Sequence, residues 1–331
     1  MIKYGVIGTN FITDWLIEAG KEVNDFQLAA VYSRTKQRGE EFAEKHNAPH
    51  VFTNLEEMAK SPMIDAVYIA SPTAFHAEQA ILFLNHGKHV LCEKPIASHN
   101  QEVAEMVRTA ENNQVILMEA VKNTALPNFQ QLRTAIDKIG PVRRMVTSYC
   151  QYSSRYDAFK EGKVLNAFDP TFSNGALMDI GLYCVYPIID LFGKPDSIKA
   201  SGVKLSSGVD GEGTLLLAYP DMEAVAMYSK ITQSHFPSEI QGEKGTIVID
   251  HIQKLEKINI HYLDGQVEKI SLPQNNADMS YELQVFHEKI SGKNESSQIN
   301  SLETSLQTAN VMTEARDQLD VVFPADESRM K

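Results

Sequence analysis

Short β-branched runs alternate with amphipathic stretches through the first third of the chain, and this alternation constrains the fold more than any other feature. Ile2 to Ile7, Leu28 to Tyr32, Ala66 to Ala70, His89 to Leu91 and Val115 to Leu117 read as strands. Between them, Thr35 to His46 and Ala77 to His86 carry apolar residues at helical spacing, and Gly87 sits where a left-handed helix stop belongs. Strands linked in sequence by helices run parallel, and a parallel sheet needs both faces covered. Residues 1–121 are therefore predicted to form an α/β domain of the Rossmann type, with a doubly wound parallel sheet.

From Val142 the pattern changes to strand-like runs broken by turn signals. These are Val142 to Tyr152, Ser197 to Leu205, Gly213 to Tyr219, Glu223 to Ile231, Thr246 to Ile249, Leu255 to Tyr262 and Gln266 to Leu272. Pro220-Asp221 and Asp264-Gly265 have the chemistry of hairpin turns, which implies antiparallel neighbours. Helical segments are expected at about Gly175 to Leu191, Tyr281 to Ile290 and Leu302 to Val321. Residues 122–331 are predicted as an α+β domain on a large, mostly antiparallel open sheet. A length of 331 residues accommodates two such domains.

Charge narrows the partners. Lys plus Arg number 31 against 43 Asp plus Glu, a net −12 that repels a phosphate backbone, so nucleic acid is not expected as a partner. The longest apolar runs, such as Ala66 to Ala70, fall far short of a bilayer span, so no membrane partner is expected either. Cys92, Cys150 and Cys184 are odd in number and lack C-x-x-C spacing, which indicates neither a disulfide framework nor a metal site. Met1 to Val6 runs straight into a strand without an export signal, and a cytoplasmic location is expected. Asn294-Glu295-Ser296 matches a glycosylation acceptor, which a cytoplasmic chain does not use. Patterns for a phosphate-binding P-loop, a zinc protease helix and a nucleophile elbow do not occur.

Candidate site residues fall where the first-half strands end. Gly8, Thr9, Asn10, Phe11 and Ile12 join the first strand to a helix, where a pyrophosphate meets helix N–H groups and the positive end of the helix dipole. Of the three glycines of G-x-G-x-x-G only Gly8 stands, with Asn10 and Thr13 at the other two positions. The second strand ends in Ser33-Arg34 with no acid to hold a ribose 2′-hydroxyl; Ser33, Arg34, Lys36 and Arg38 suit a 2′-phosphate, so NADP is favoured over NAD. Ser71, Thr73 and His76 follow the third strand, and Glu93, Lys94 and Pro95 follow the fourth. Ligands of open parallel sheets bind outside those carboxyl ends, which places all of them at one crevice.

In the second half, Asn174 to Tyr183 opens a helix, with Asp179 and Tyr183 four residues apart on one face. Gly181 between them and Pro187 beyond them both weaken a helix. A glycine at such a position signals that something approaches the backbone closely.

These residues resemble the Gfo/Idh/MocA oxidoreductases. The resemblance rests on Gly5-Val6-Ile7-Gly8, Gly87 to Pro95, Leu117-Met118-Glu119-Ala120, Gly175 to Tyr183, Tyr281-Glu282-Leu283 and Leu302 to Pro324, and runs nearly end to end. Tyr183, where many relatives carry His, is similar to the dihydrodiol dehydrogenase and glucose-fructose oxidoreductase branch. Departures are the two missing glycines, Thr73 where Asn is frequent, and Leu126-Pro127 where His-Pro is common.

The resemblance implies hydride transfer between NADP, with NAD as the alternative, and a carbinol or carbonyl carbon of a sugar, cyclic polyol or trans-dihydrodiol. It also implies that Lys94, Tyr183 and Asp179 are the catalytic set, and that the second domain binds substrate and makes a homodimer or higher oligomer through its sheet. Tyr183 is then the proton donor or acceptor and Lys94 the cation that orients the substrate oxygen, the reverse assignment staying open. Asp179 accepts a hydrogen bond from a second substrate hydroxyl, or holds Lys94. Two other readings stay open: a non-catalytic dinucleotide- or sugar-binding regulator of the same fold, suggested by the eroded glycine loop, and an NAD-dependent glycosidase.

Overall fold

A computed structural model of the chain describes residues 1–293 and 297–329. The acceptor pattern at Asn294-Glu295-Ser296 lies outside the described residues. The chain divides into two compact units, one of residues 1–122 with 275–302, the other of residues 123–274 with 303–331.

The first unit contains six strands: β1 (Ile2–Ile7), β2 (Phe26–Tyr32), β3 (His50–Phe52), β4 (Ala66–Ile69), β5 (His89–Glu93) and β6 (Leu117–Ala120). All pair in parallel, in the order β3-β2-β1-β4-β5-β6, the doubly wound arrangement that the β-α alternation predicts. β6 begins two residues later than expected. Val115 does not open it, because its N–H closes the preceding helix on Ala110 O, after Gln114 has turned into the left-handed region. That helix, Asn100–Asn113, is mostly polar and buries only Val103, Met106 and Ala110, so its periodicity is faint. β3 is a half-buried three-residue edge strand, too short to register as a pattern.

The first unit also takes in a late segment that a single cut between residues 121 and 122 leaves out. Leu283 and Phe286 of the helix Met279–Ile290 join the core cluster of Tyr4, Val6, Tyr68 and Met118. Their helix packs against Phe11–Gly20. Burying that apolar face outweighs proximity along the chain, which is why the segment returns.

In the second unit the strands are β7 (Val142–Cys150), β8 (Ser197–Lys204), β9 (Asp210–Ala218), β10 (Glu223–Ser229), β11 (Ser238–Gly242), β12 (Gly245–Ile249), β13 (Ile258–Tyr262) and β14 (Val267–Lys269). They form one sheet in the order β14-β13-β12-β11-β7-β10-β9-β8, antiparallel throughout except for β7 beside β10. The turns at Pro220-Asp221 and Asp264-Gly265 join β9 to β10 and β13 to β14, as their chemistry predicts. β11 escapes the sequence pattern because Ile240 is its only large apolar residue, yet it is a central strand.

The helix Leu182–Phe192 lies against β7 and β10. The stretch Pro170–Phe192 is in fact apolar and long enough to cross a membrane, a correction to the reading of short apolar runs; its most apolar part is 72% buried within the protein and serves as core. Inside the helix Leu302–Gln318, Arg316 is fully buried, held at 2.8 and 3.0 Å by the carboxylate of Asp326 and stacked 4.1 Å over Phe323.

Candidate active site

In the first unit, the turn after β1 explains which glycine is indispensable. Gly8 has φ +105°, and a Cβ there would stand 2.7 Å from the Ala70 carbonyl oxygen, so only glycine lets the turn close against the end of β4. Asn10 caps the next helix. Its Oδ1 accepts from the N–H groups of Ile12 at 3.0 Å and Thr13 at 3.3 Å, while its Nδ2 donates to Ala70 O at 3.0 Å. The second glycine position is thus filled by a side chain that folds back onto the protein, and Thr13 at the third is fully buried. Phe11 and Trp15 lie on the solvent side as an edge-to-face pair with ring centres 5.0 Å apart.

At the end of β2, Ser33 is buried and donates its N–H to Phe52 O at 3.0 Å. Arg34 is exposed, and no acid lies within ion-pair reach of it among the described residues. Arg38 is committed to the glycine turn: its Nε donates to Thr9 Oγ1 at 3.1 Å and its Nη2 to Thr9 O at 2.8 Å. A cationic, acid-free strand end beside a turn that tolerates no Cβ fits a dinucleotide carrying a 2′-phosphate.

The ends of β4 and β5 are tied together by His76. Its Nδ1 lies 2.8 Å from Pro95 O and its Nε2 2.7 Å from Ser71 O, and the ring is buried. Burial holds its pKa below the ordinary value, with the charge of Lys94 acting the same way, against the pull of the two carbonyls. His76 therefore positions the loops around the site through their backbones. Ser71 Oγ donates to Gln79 Oε1 at 2.7 Å, and Thr73 is buried in the short turn Thr73–Phe75. The Lys94–Pro95 peptide is cis.

Behind Lys94 is a buried acidic group that the sequence reading only half anticipated. Tyr68 donates to Glu93 Oε1 at 2.5 Å, and the Lys94 N–H donates to Glu93 Oε2 at 3.2 Å. Burial raises the pKa of Glu93, opposed by Tyr68 and by the charges of Lys94 and Lys122. Burial, and then the charge of Glu93, push the carboxyl of Glu282, from the returning helix, well above the ordinary carboxylate range, against the charges of Lys122 and Lys94. Glu282 Oε2 has no hydrogen-bond partner among the described residues. Tyr281-Glu282-Leu283 is visible in the sequence as a family segment, but nothing there says that its carboxyl belongs beside Glu93.

In the second unit, Asp179 and Tyr183 sit where the chain changes helix type. Leu177–Gly181 is a π-helical turn that runs into Leu182–Phe192, an irregularity often found at functional sites. Gly181 is closely packed: a Cβ there would meet Tyr228 Cγ and Leu177 Cδ1 at 3.0 Å, so any larger residue makes those side chains give way. The Tyr183 ring stands edge-on to Tyr149 with centres 6.0 Å apart, and its carbonyl accepts from Asn123 Nδ2 at 3.3 Å.

Asp179 Oδ2 accepts from the ammonium of Lys230, at the end of β10, whose side chain is 5% exposed. Lys230 lies 5.4 Å over the Phe168 ring. Asp210, wholly buried, accepts the Leu177 N–H at 2.7 Å on Oδ2 and so anchors the π turn. Burial pushes Asp210 up to about 6, against the pull of that N–H and of Lys230 and Arg316. Sequence reasoning missed Lys230 and Asp210. Neither belongs to a motif, and both act across more than thirty residues.

A parallel dinucleotide-binding sheet joined in one chain to a large open antiparallel sheet defines a two-domain oxidoreductase. The family comparison agrees: the oxidoreductase family Gfo/Idh/MocA, NAD-binding Rossmann fold, matches residues 2–121, and its C-terminal domain matches residues 129–248. The chain belongs to the Gfo/Idh/MocA family. The scyllo-inositol 2-dehydrogenase (NADP(+)) IolU of Bacillus subtilis (strain 168) is 56% identical over 328 residues, 99% of this chain and all of that protein. A trans-1,2-dihydrobenzene-1,2-diol dehydrogenase of Xenopus tropicalis is 30% identical, covering 94% of this chain and 99% of its own. In fold, the crystal structure of KijD10, a 3-ketoreductase from Actinomadura kijaniata in complex with NADP and TDP-benzene, superposes with a TM-score of 0.82 at 22% identity, over 96% of this chain and 97% of that one.

Proposed function

We propose that this protein is an NADP-dependent dehydrogenase of cyclic polyols, interconverting a ring carbinol of an inositol and the corresponding ketone. The observation that carries the reading is the full-length similarity to an NADP-dependent scyllo-inositol dehydrogenase, joined to an acid-free, cationic end of β2 at Ser33 and Arg34. When bound, NADP supplies the hydride acceptor, and NADPH the donor.

The chain's own residues do the rest. Gly8, Thr9, Asn10, Phe11 and Ile12 form the turn that receives the pyrophosphate; because Asn10 already satisfies the Ile12 N–H, the amides of Thr9, Asn10 and Phe11 are the ones assigned to phosphate. Ser33 and Arg34 hold the 2′-phosphate, and Arg38 supports them by fixing Thr9. Ser71, Thr73 and His76 shape the loop beside the nicotinamide, and Glu93, anchored by Tyr68, sets the backbone direction of Lys94. Tyr183 gives or takes the proton of the substrate oxygen, and Lys94 supplies the positive charge that orients that oxygen. Asp179 receives a neighbouring hydroxyl.

The test is a spectrophotometric assay of the purified protein with scyllo-inositol and NADP+ or NAD+, and with the inosose and NADPH or NADH. Oxidation of scyllo-inositol at least tenfold more efficient with NADP+ is expected. A preference for NAD+, or no turnover of any cyclitol, refutes the reading.

Two finer assignments accompany it. The three cysteines are free thiols, in keeping with a cytoplasmic enzyme. The face of the eight-stranded sheet away from the helix Leu182–Phe192 carries half-buried Val146, Val225 and Met227 and exposed Leu216, an apolar surface suited to self-association into a dimer. Light scattering on the eluting protein should give twice the 37.0 kDa chain mass.

A further inference from the structure

Asp179 accepts from the ammonium of Lys230, and three features of that pair call for a role beyond packing. The ammonium is nearly sealed from solvent while the Asp179 side chain stays 36% exposed, so the pair opens outward only through the carboxylate. An ion pair buried in this way adds little net stability over an apolar pair of the same shape, because desolvation offsets the attraction. Finally, aromatic rings lead outward from the lysine. Lys230 lies over Phe168, which is 5.3 Å from Phe159 and 5.8 Å from Tyr156, and Tyr156 is 5.6 Å from Tyr152, which is exposed at the surface. Phe168 is itself fully buried and backs the lysine, while the half-buried Tyr156 and exposed Tyr152 offer an apolar face to the C–H groups of a polyhydroxylated ring whose hydroxyls can donate to the exposed carboxylate.

We infer that Lys230 is a positioning residue for substrate recognition: it holds Asp179 in one orientation as the acceptor for a hydroxyl adjacent to the carbon that reacts. Phe168 lies against the ammonium, whose hydrogen bond goes to Asp179 Oδ2, so Lys230 fixes the orientation of that carboxylate. The inference rests on the cyclic-polyol reading. It predicts that Lys230 governs how tightly a vicinal polyol binds and leaves the redox step itself almost untouched.

The experiment compares wild type, K230M, D179N and the K230M/D179N double variant with scyllo-inositol and NADP+, alongside NADPH affinity measured by fluorescence. For K230M the expected result is a KM at least tenfold higher, kcat within threefold and NADPH affinity unchanged. Adding K230M to D179N should raise KM by less than twofold further, because Lys230 acts through Asp179. An unchanged KM in K230M, a loss confined to kcat, or losses that multiply in the double variant would each overturn the inference.

If K230M does not fold, as judged by circular dichroism and melting, K230Q replaces it with the same expectations; failure of both to fold makes Lys230 a structural counter-ion and overturns the proposal. If wild type turns over no cyclitol, the cyclic-polyol reading fails, and binding of scyllo-inositol to the NADP-loaded protein by calorimetry decides for Lys230. Binding that K230M weakens tenfold supports it, and absent or unaltered binding overturns it.

Discussion

The two units build their candidate site residues in different ways. In the parallel-sheet unit each comes from a strand end and the few residues after it: Gly8 to Ile12 after β1, Ser33 and Arg34 after β2, Ser71 to His76 after β4, Glu93 and Lys94 at β5. In the antiparallel-sheet unit the decisive contacts are made by residues far apart in sequence. Lys230 reaches back 51 positions to Asp179, and Asp210 reaches back 33 to the Leu177 N–H. A parallel crossover sheet delivers every strand end to one side, so local motifs suffice. An antiparallel sheet sends alternate strand ends to opposite sides, and only the pairing order decides which side chains meet.

The sharpest way to break this contrast is Tyr183→Phe. If the second unit supplies the proton chemistry, turnover of scyllo-inositol should fall by about 10² to 10⁴ while NADPH affinity stays put; unchanged turnover would take Tyr183 out of the mechanism.

Asp210→Asn comes next and probes the long-range contacts through pH. The folded protein holds Asp210 near 6 against an ordinary value of 3.8, so the unfolded chain releases this proton first as pH rises. Stability contributed by Asp210 therefore falls between about pH 4 and pH 6, by roughly 3 kcal/mol in all, and levels off above. Urea unfolding at successive pH values should show the asparagine variant with a shallower decline across that window; identical slopes would mean that Asp210 titrates normally.

Arg34→Ala addresses the other unit. Losing one charge-assisted contact to a 2′-phosphate costs about 1.5 to 3 kcal/mol, so NADPH should bind roughly ten- to a hundredfold more weakly with NADH affinity unmoved. Equal losses for both cofactors would point to a general role for Arg34 in the fold.

The smallest effect is expected at Trp15, whose ring is 56% exposed. Trp15→Phe should shift stability by no more than about 0.5 kcal/mol in thermal melts, since no buried contact is lost. A larger shift would show that the Phe11–Trp15 pair carries weight that its exposure does not reveal.

Much of the fold is legible in the residues themselves. β1 is read with its observed bounds, β2, β4, β7 and β10 within a few residues, and the turns at Pro220-Asp221 and Asp264-Gly265 by their chemistry. What escapes is weakly patterned locally: β3 because it is short, β11 because one isoleucine cannot make an alternation, and Asn100–Asn113 because three buried residues leave a polar face to dominate. The candidate site divides in the same way. Gly8 is readable because the backbone of its turn demands a glycine, and Ser33-Arg34 because a strand end that carries a cation and no acid stands out in the sequence itself. Arg38 is readable as a cation, but its placement against Thr9 is not.

By itself the sequence determined the alternation that makes the first sheet parallel, the acid-free end of its second strand, and the helical character of the segment that carries Asp179 and Tyr183. These follow from chemistry within a few residues, where chain geometry leaves few options. Only the tertiary structure decided that the late helix Met279–Ile290 brings Glu282 into the first unit's core and that Lys230, Asp210 and Tyr228 pack around the π turn. Those contacts close long loops, and burial of apolar surface over the whole unit selects which distant polar groups are sealed in together.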